Sequence, residues 1–286
     1  MIVIDKYKSP DLIAAIETNL IEFSSFFGNL AQAEVYNGPD IFWSITSIPF
    51  ALFNSVIRAR LTPDVVLDTI EAVASRGRSR NVPVLWWTSP TTRPYNLGKY
   101  LIKNDFRYIG DSPGMAIDLH NLNENYQPQP ELTIQTVDTP DSLRMWSDIL
   151  TTGFSLPDFA GNAFFDLFSG IGLGEHLPVR HYIGWLKEKP VAVSSLFFGA
   201  GVAGIYNLTT IPSLRRQGIG SAMIMKPLRE ARAMEYTTGV LQASEMGLSI
   251  YRRLGFKEYC MFNHYIRTDK AFQSNNPKTD DLHLKQ

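Results

Sequence analysis

The same opening is written twice in this chain of 286 residues. Val3-Ile-Asp-Lys-Tyr-Lys8 reads as a short strand, and Ser9-Pro10-Asp11 as the start of a helix. Serine is a favoured N-cap, proline suits the first helical position and aspartate complements the helix dipole. Leu12, Ile13, Ile16, Leu20, Ile21 and Phe23 then recur at helical spacing. The pattern returns at Ile134, where a strand leads to Thr139-Pro140-Asp141 and a helix with Leu143, Trp146, Ile149 and Leu150 on one face. The ends of the halves also correspond. Val84–Thr88 and Val240–Ser244 read as strands. Each is followed by a helix (from Leu97, and over Gly247–Leu254), a turn at Asn104-Asp-Phe106 or Leu254-Gly-Phe256, and a closing strand. A repeat this long is a duplicated domain, because solenoid repeats have periods of about 20–50 residues.

Asn121–Pro130, polar and proline-bearing, has the composition of a linker. The sequence therefore divides into residues 1–125, residues 131–268 and a polar tail, 269–286, with little periodicity. Net charge is −1 with a pI near 6.5, so no global field favours nucleic acid or an anionic membrane as partner. The single cysteine, Cys260, excludes an internal disulfide and fits a reducing compartment. The N-terminus gains charge too early for a signal peptide, and no apolar run approaches the roughly 18 residues of a membrane span. The expectation is a cytoplasmic protein.

The second half is the more informative. Val179–Leu186, Val191–Phe198 and Val202–Thr210 read as three adjacent antiparallel strands, with a turn at Glu188-Lys-Pro190. Ile211-Pro212-Ser213 breaks the last one. Arg215-Arg216-Gln217-Gly218-Ile219-Gly220 then leads into a helix over Ser221–Met234. A glycine-bearing turn between strand and helix is an anion site. Backbone N–H groups converge there, the helix dipole adds positive potential, and glycine lets a phosphate approach. No P-loop motif and no Gly-x-Gly-x-x-Gly dinucleotide motif is present.

Arg215-x-x-Gly218-x-Gly220 after a strand and a proline resembles the pyrophosphate loop of the GNAT superfamily of acyl-CoA-dependent N-acetyltransferases. The order of elements over Ile134–Ile266 is similar too, and the first half resembles a degenerate copy. The implied fold is α/β (α+β), two tandem GNAT-like domains, each a mixed, mostly antiparallel sheet flanked by helices. The resemblance implies acetyl-CoA as co-substrate, no metal, and a small-molecule or amino-acid-like amine as acceptor, with a homodimer admitted. It assigns the coenzyme's diphosphate to Arg215, Arg216, Gln217, Gly218, Ile219, Gly220 and Ser221. A strand splayed by a bulge would offer the backbone of Leu208, Thr209 and Thr210 to the pantetheine arm and the thioester. Tyr251, in Gly247-Leu-Ser-Ile-Tyr-Arg-Arg-Leu-Gly255, stands where family members donate a proton to the departing thiolate. Ser244 is placed to touch the pantetheine or to position Tyr251.

The base that takes the amine's proton is left open among Asp158, Asp166, Glu175, His176, His181 and a water chain. Phe154–Phe159 and Asn162–Phe168 form an aromatic loop and helix expected to cover the acceptor. Trp86 and Trp87 are expected in a buried strand. In the first half, the strand near Asn54–Leu61 meets Thr62-Pro63-Asp64 and a helix through Val65, Val66, Leu67, Ile70 and Val73 with no glycine loop. That helix is expected to be capped by its own side chains, with no coenzyme site. Two rival readings remain: an acyl-CoA sensor without turnover, and transfer of another group, such as a longer acyl chain or an aminoacyl group.

Overall fold

The computed structural model describes residues 9–123 and 128–268. The expected strand at Val3–Lys8, the tail 269–286, part of the linker and the side chains of Ser9 and Pro10 lie outside the described residues. The elements fall into two compact units that do not follow the sequence halves. One takes helix α1 (Ser9–Ser25) as far as Asn19, then Met115–Ala243 and Gly247–Tyr259. The other takes Leu20–Gly114, Ser244–Met246 and the chain from Cys260. No described helix is long and apolar enough to cross a membrane.

The unit centred on the first half contains β1 (Glu34–Asn37), β2 (Ile41–Ile45), β3 (Ser55–Ala59), α2 (Val66–Arg80), β4 (Val84–Thr88) and α3 (Leu97–Lys103). It also holds β5 (Arg107–Asp118) through Gly114, and the end of β11 (Lys257–Arg267) from Cys260. The strand order is β1-β2-β3-β4-β11-β5. β3 and β4 pair in parallel; β11 is antiparallel to β4, with Tyr265 opposite Trp86. Val56, Ile70, Trp86, Leu97 and Phe106 form its core, so Trp86 and Trp87 do lie in a buried strand. One expectation is corrected here. The N-cap of α2 is Val65, in a helical conformation and without a side-chain hydrogen bond. The Thr62-Pro63-Asp64 turn closes on itself through the Val65 N–H and the Thr62 carbonyl, so it precedes the helix instead of capping it.

The unit centred on the second half contains β6 (Leu132–Thr136), α4 (Pro140–Phe154), α5 (Asp158–Ile171), β7 (Val179–Leu186), β8 (Lys189–Gly199) and β9 (Val202–Thr210). After these come α6 (Ile219–Ala233), β10 (Thr238–Gln242) and α7 (Glu245–Leu254). Its strand order is β5-β10-β9-β8-β7-β6; the pairs β6–β7, β7–β8 and β8–β9 are antiparallel and β9–β10 is parallel. Thr139 caps α4 in a reciprocal capping box with Ser142, and Pro140 opens the helix, as the sequence implies. Leu143, Trp146, Ile149 and Leu150 are buried.

Helix α6 carries Pro227 in its interior, which removes the N–H that would bond the Met223 carbonyl. Buried Ser194 on β8 replaces it, its hydroxyl donating to that carbonyl at 3.0 Å. Asn19 on α1 is tied to the β8–β9 hairpin. Its amide donates to the Gly199 carbonyl at 2.9 Å and its Oδ1 accepts the Tyr206 hydroxyl at 2.7 Å. Gly204 makes room for that amide, since a Cβ there would sit 2.2 Å from Asn19 Oδ1.

Candidate active site

Three features of the second-half unit converge at one end of its sheet. The first is the parting of two parallel strands. β9 and β10 pair only at Ala203↔Gly239 and Gly204↔Val240, and beyond these the described ladder stops. Past that point β9 is also bulged. Val193 of β8 faces Thr209 and Ser195 faces Tyr206, so Asn207 and Leu208 together oppose Ser194. Asn207 takes the left-handed conformation the bulge requires, with φ of 53°. The Ile211 N–H bonds the Val191 carbonyl on β8. Because strand N–H groups alternate between edges, those of Leu208 and Thr210 face the parted edge.

The second feature is the turn ahead of α6. Arg216 has φ of 61° and Gly218 of 81°, an alternation of hand that turns successive N–H groups inward as an anion nest. The first intrahelical bond runs from the Ala222 N–H to the Gly218 carbonyl, so the N–H groups of Ile219, Gly220 and Ser221 precede it. Gly218 caps the helix without a side-chain hydrogen bond. A Cβ built on Gly218 meets nothing within 4 Å, and one on Gly220 meets only Ile250 Cδ1, at 3.7 Å. The turn is thus an open cradle of the kind a diphosphate fits.

Arg215 and Arg216 occupy different environments within this loop. Arg215 donates from Nε to the Thr210 carbonyl at 3.1 Å and from Nη2 to the Gly153 carbonyl at 2.6 Å. It is a strut between the end of β9 and the C-terminus of α4, where a cation also complements the dipole. Arg216 and Gln217 are exposed on the turn, and Gln129 donates its amide to the Gln217 carbonyl. Gly153 lets α4 approach closely, because a Cβ there would lie 2.4 Å from the Thr209 methyl group.

The third feature is Tyr251, one residue beyond Ile250, whose side chain borders Gly220. Tyr251 is 7% exposed, belongs to the same buried cluster as Ile219 and Leu241, and meets Phe256 edge-on at 5.8 Å. Burial raises its pKa well above that of an ordinary phenol, so the side chain stays protonated at neutral pH. Ser244 stands between β10 and α7, half-buried, and groups with the other unit.

The five side chains considered for the base scatter. Asp158, Asp166, Glu175 and His176 are exposed. His181 is a core residue, 1% exposed, with Trp146 and Phe168 at ring-centroid distances of 4.8 and 4.1 Å. Burial lowers its pKa to about 3, so the ring is neutral. On the aromatic helix, Phe164 and Phe168 are core, while Phe159 is exposed. Sequence reading passed over Gly153 and Asn207. Asparagine within an apolar β run was the available signal, since it is depleted in strands and enriched at positive φ.

In the first-half unit the same parting exists and is filled. β3 and β4 pair only at Ser55↔Leu85 and Val56↔Trp86, and β3 has a register shift opposite Phe42 and Trp43. There the Arg93 N–H bonds the Ala59 carbonyl and the Leu61 N–H bonds the Arg93 carbonyl, both at 2.9 Å. The chain's own loop takes the edge that β9 leaves open.

Residues 145–256 match the acetyltransferase (GNAT) family profile, and this part of the chain is a GNAT-family domain. No curated protein sequence matches the chain significantly. Among solved structures, a GCN5-related N-acetyltransferase from Kribbella flavida aligns at 16% identity with a TM-score of 0.69. The alignment covers 90% of this chain and 98% of that one. A functionally unknown conserved protein from Staphylococcus epidermidis aligns at 14% identity and a TM-score of 0.64, covering 82% and 93%. A tandem GNAT protein from the clavulanic acid biosynthesis pathway aligns at 10% identity and 0.59, covering 92% and 95%. The chain has the tandem GNAT fold.

Neutral burial of His181 makes a prediction for stability. The unfolded histidine takes a proton near pH 6.5, whereas the folded one does so only near 3. Stability is therefore complete above pH 6.5 and is lost as pH falls toward 3, by about 1.4 kcal/mol per unit for this histidine. Urea unfolding at pH 7.5 and 5.0 should show a smaller loss in His181→Gln than in the unmodified chain. Equal losses would show that the ring is charged in the fold.

Proposed function

We propose that the second-half unit is an acetyl-CoA-dependent N-acetyltransferase acting on the amine of a small molecule. The observation that carries this reading is the open nest at the start of α6, next to a β9 edge released by the bulge and the parting from β10. Its fit to coenzyme A is steric as well as electrostatic: a Cβ on Gly218 would meet nothing within 4 Å and one on Gly220 only Ile250, and the N-cap residue is a glycine with no side chain of its own. The near-neutral net charge supports a small acceptor over a polyanion or a strongly basic polypeptide.

A thioester bound there would present its carbonyl carbon to the amine nitrogen, the C–N bond forming as the C–S bond breaks, the amine's proton passing to water and the sulfur leaving as the thiolate of coenzyme A. The N–H groups of Ile219, Gly220 and Ser221 hold the diphosphate, with Arg216 as the exposed cation of the loop. Arg215 acts one step back, fixing the end of β9 to α4. The N–H groups of Leu208 and Thr210 orient the pantetheine arm and polarise the thioester carbonyl. Tyr251, protonated, donates a hydrogen bond to the departing sulfur. Its raised pKa makes full proton transfer to a thiolate of pKa about 8.5 uphill, so its effect is stabilisation of developing charge.

Two substitutions test this. Gly220→Glu puts a carboxylate into the cradle at a position with room for a side chain. Titration calorimetry should show acetyl-CoA affinity reduced by at least about 100-fold, consistent with losing charge-assisted contacts, with the thermal midpoint kept. Unchanged affinity would remove the cradle. With an acceptor found by screening amines, Tyr251→Phe should lower kcat by about tenfold or more and leave KM for acetyl-CoA nearly constant. An unaltered kcat would dismiss Tyr251, and binding without transfer to any amine would favour the sensor reading.

A further inference from the structure

A β-bulge interrupts the ladder, and side chains from α4, β7, β8 and β9 hydrogen-bond around this one. Ser194, the residue facing the bulged pair, has its carbonyl bonded by the indole N–H of Trp146 at 3.3 Å. On the bulged strand, Asn207 donates from Nδ2 to the hydroxyl of Ser195 at 3.1 Å. The Ser195 oxygen lies 2.8 Å from His181 Nδ1. Ser195 and His181 are buried, and the imidazole is held between Trp146 and Phe168. The residue in the strained left-handed conformation is therefore the one whose side chain is anchored. Its anchor runs through three strands in sequence: β9, β8 and β7.

We infer that Asn207, Ser195 and His181 form a positioning relay that fixes the aperture of the β9 bulge, and so aims the Leu208 N–H at the acyl carbonyl of the co-substrate. The inference rests on the reading of β9 as the acyl-binding edge. Left-handed asparagine costs less than other non-glycine residues there, yet an unanchored bulge can relax by a register slip that turns the Leu208 N–H back into the ladder. The diphosphate nest is formed by the later turn, 215–221, and has no residue in the relay. The relay should consequently govern recognition of the acetyl group and leave the grip on the rest of coenzyme A alone. A relay serving stability alone would affect both ligands equally.

The test is calorimetric titration of the full chain with acetyl-CoA and, separately, with free coenzyme A. Ser195→Ala breaks both links. Asn207→Gly keeps the backbone conformation without strain and removes the anchor, so it remains informative if the buried Ser195→Ala variant folds poorly. Each should weaken acetyl-CoA relative to coenzyme A by about fivefold, the worth of one neutral hydrogen bond. A fallen thermal midpoint with the affinity ratio unchanged in Asn207→Gly overturns the relay and leaves the proposed function standing. If the unmodified chain binds neither ligand, the proposed function fails, and the relay with it.

Discussion

Every backbone N–H and C=O taken out of water needs a partner, and the second-half unit is organised around a place where the sheet withholds one. Parallel pairing of β9 with β10 ends after Gly204↔Val240, while β9 continues to Thr210. Beyond that point the described ladder pairs β9 with β8 alone, and Arg215 bonds the Thr210 carbonyl at its end. What keeps the gap from closing is side-chain work on both flanks. Arg215 clamps the end of β9 to α4, Gly153 lets α4 press against Thr209, and the Asn207–Ser195–His181 chain pins the bulge.

The two units show one architecture with opposite answers to that constraint. In the first-half unit β3 and β4 part after two pairs as well, and Arg93 satisfies the exposed groups with its own main chain. Its α2 begins at a helical Val65 without a glycine nest. Both units have the parted strands, and an open helix N-terminus accompanies them in one. The two differ by a loop that folds into the gap, not by a change of architecture.

Much of this was legible in the chain because the signals are local. Thr139-Pro140 marks a helix start by cap chemistry, Gly218 marks a left-handed turn, and runs of apolar, β-branched and aromatic residues between Val179 and Thr210 mark three strands. Parts that depend on distant partners were not legible. Nothing near Arg215 announces the Gly153 carbonyl, 62 positions away, so charge and proximity suggested a phosphate ligand where the structure has a strut. His181 was a candidate base because its strand neighbours do not reveal Trp146 and Phe168 packed at a tilt against its ring. Nor does local pattern say which sheet a strand joins. β5 and β11 each serve both units, a division that no period in their sequences records. Thr62-Pro63-Asp64 misled for a related reason: cap chemistry identifies a turn, and the helix began after it.

One unit holds an open nest beside a parted strand edge, and in the other the Arg93 loop fills the gap. Calorimetric titration of the unmodified chain with acetyl-CoA, read for stoichiometry, tests this most directly. One molecule bound per chain is the predicted result. Two would show that the Arg93 loop leaves its gap available, and none would show that the cradle before α6 does not hold coenzyme A.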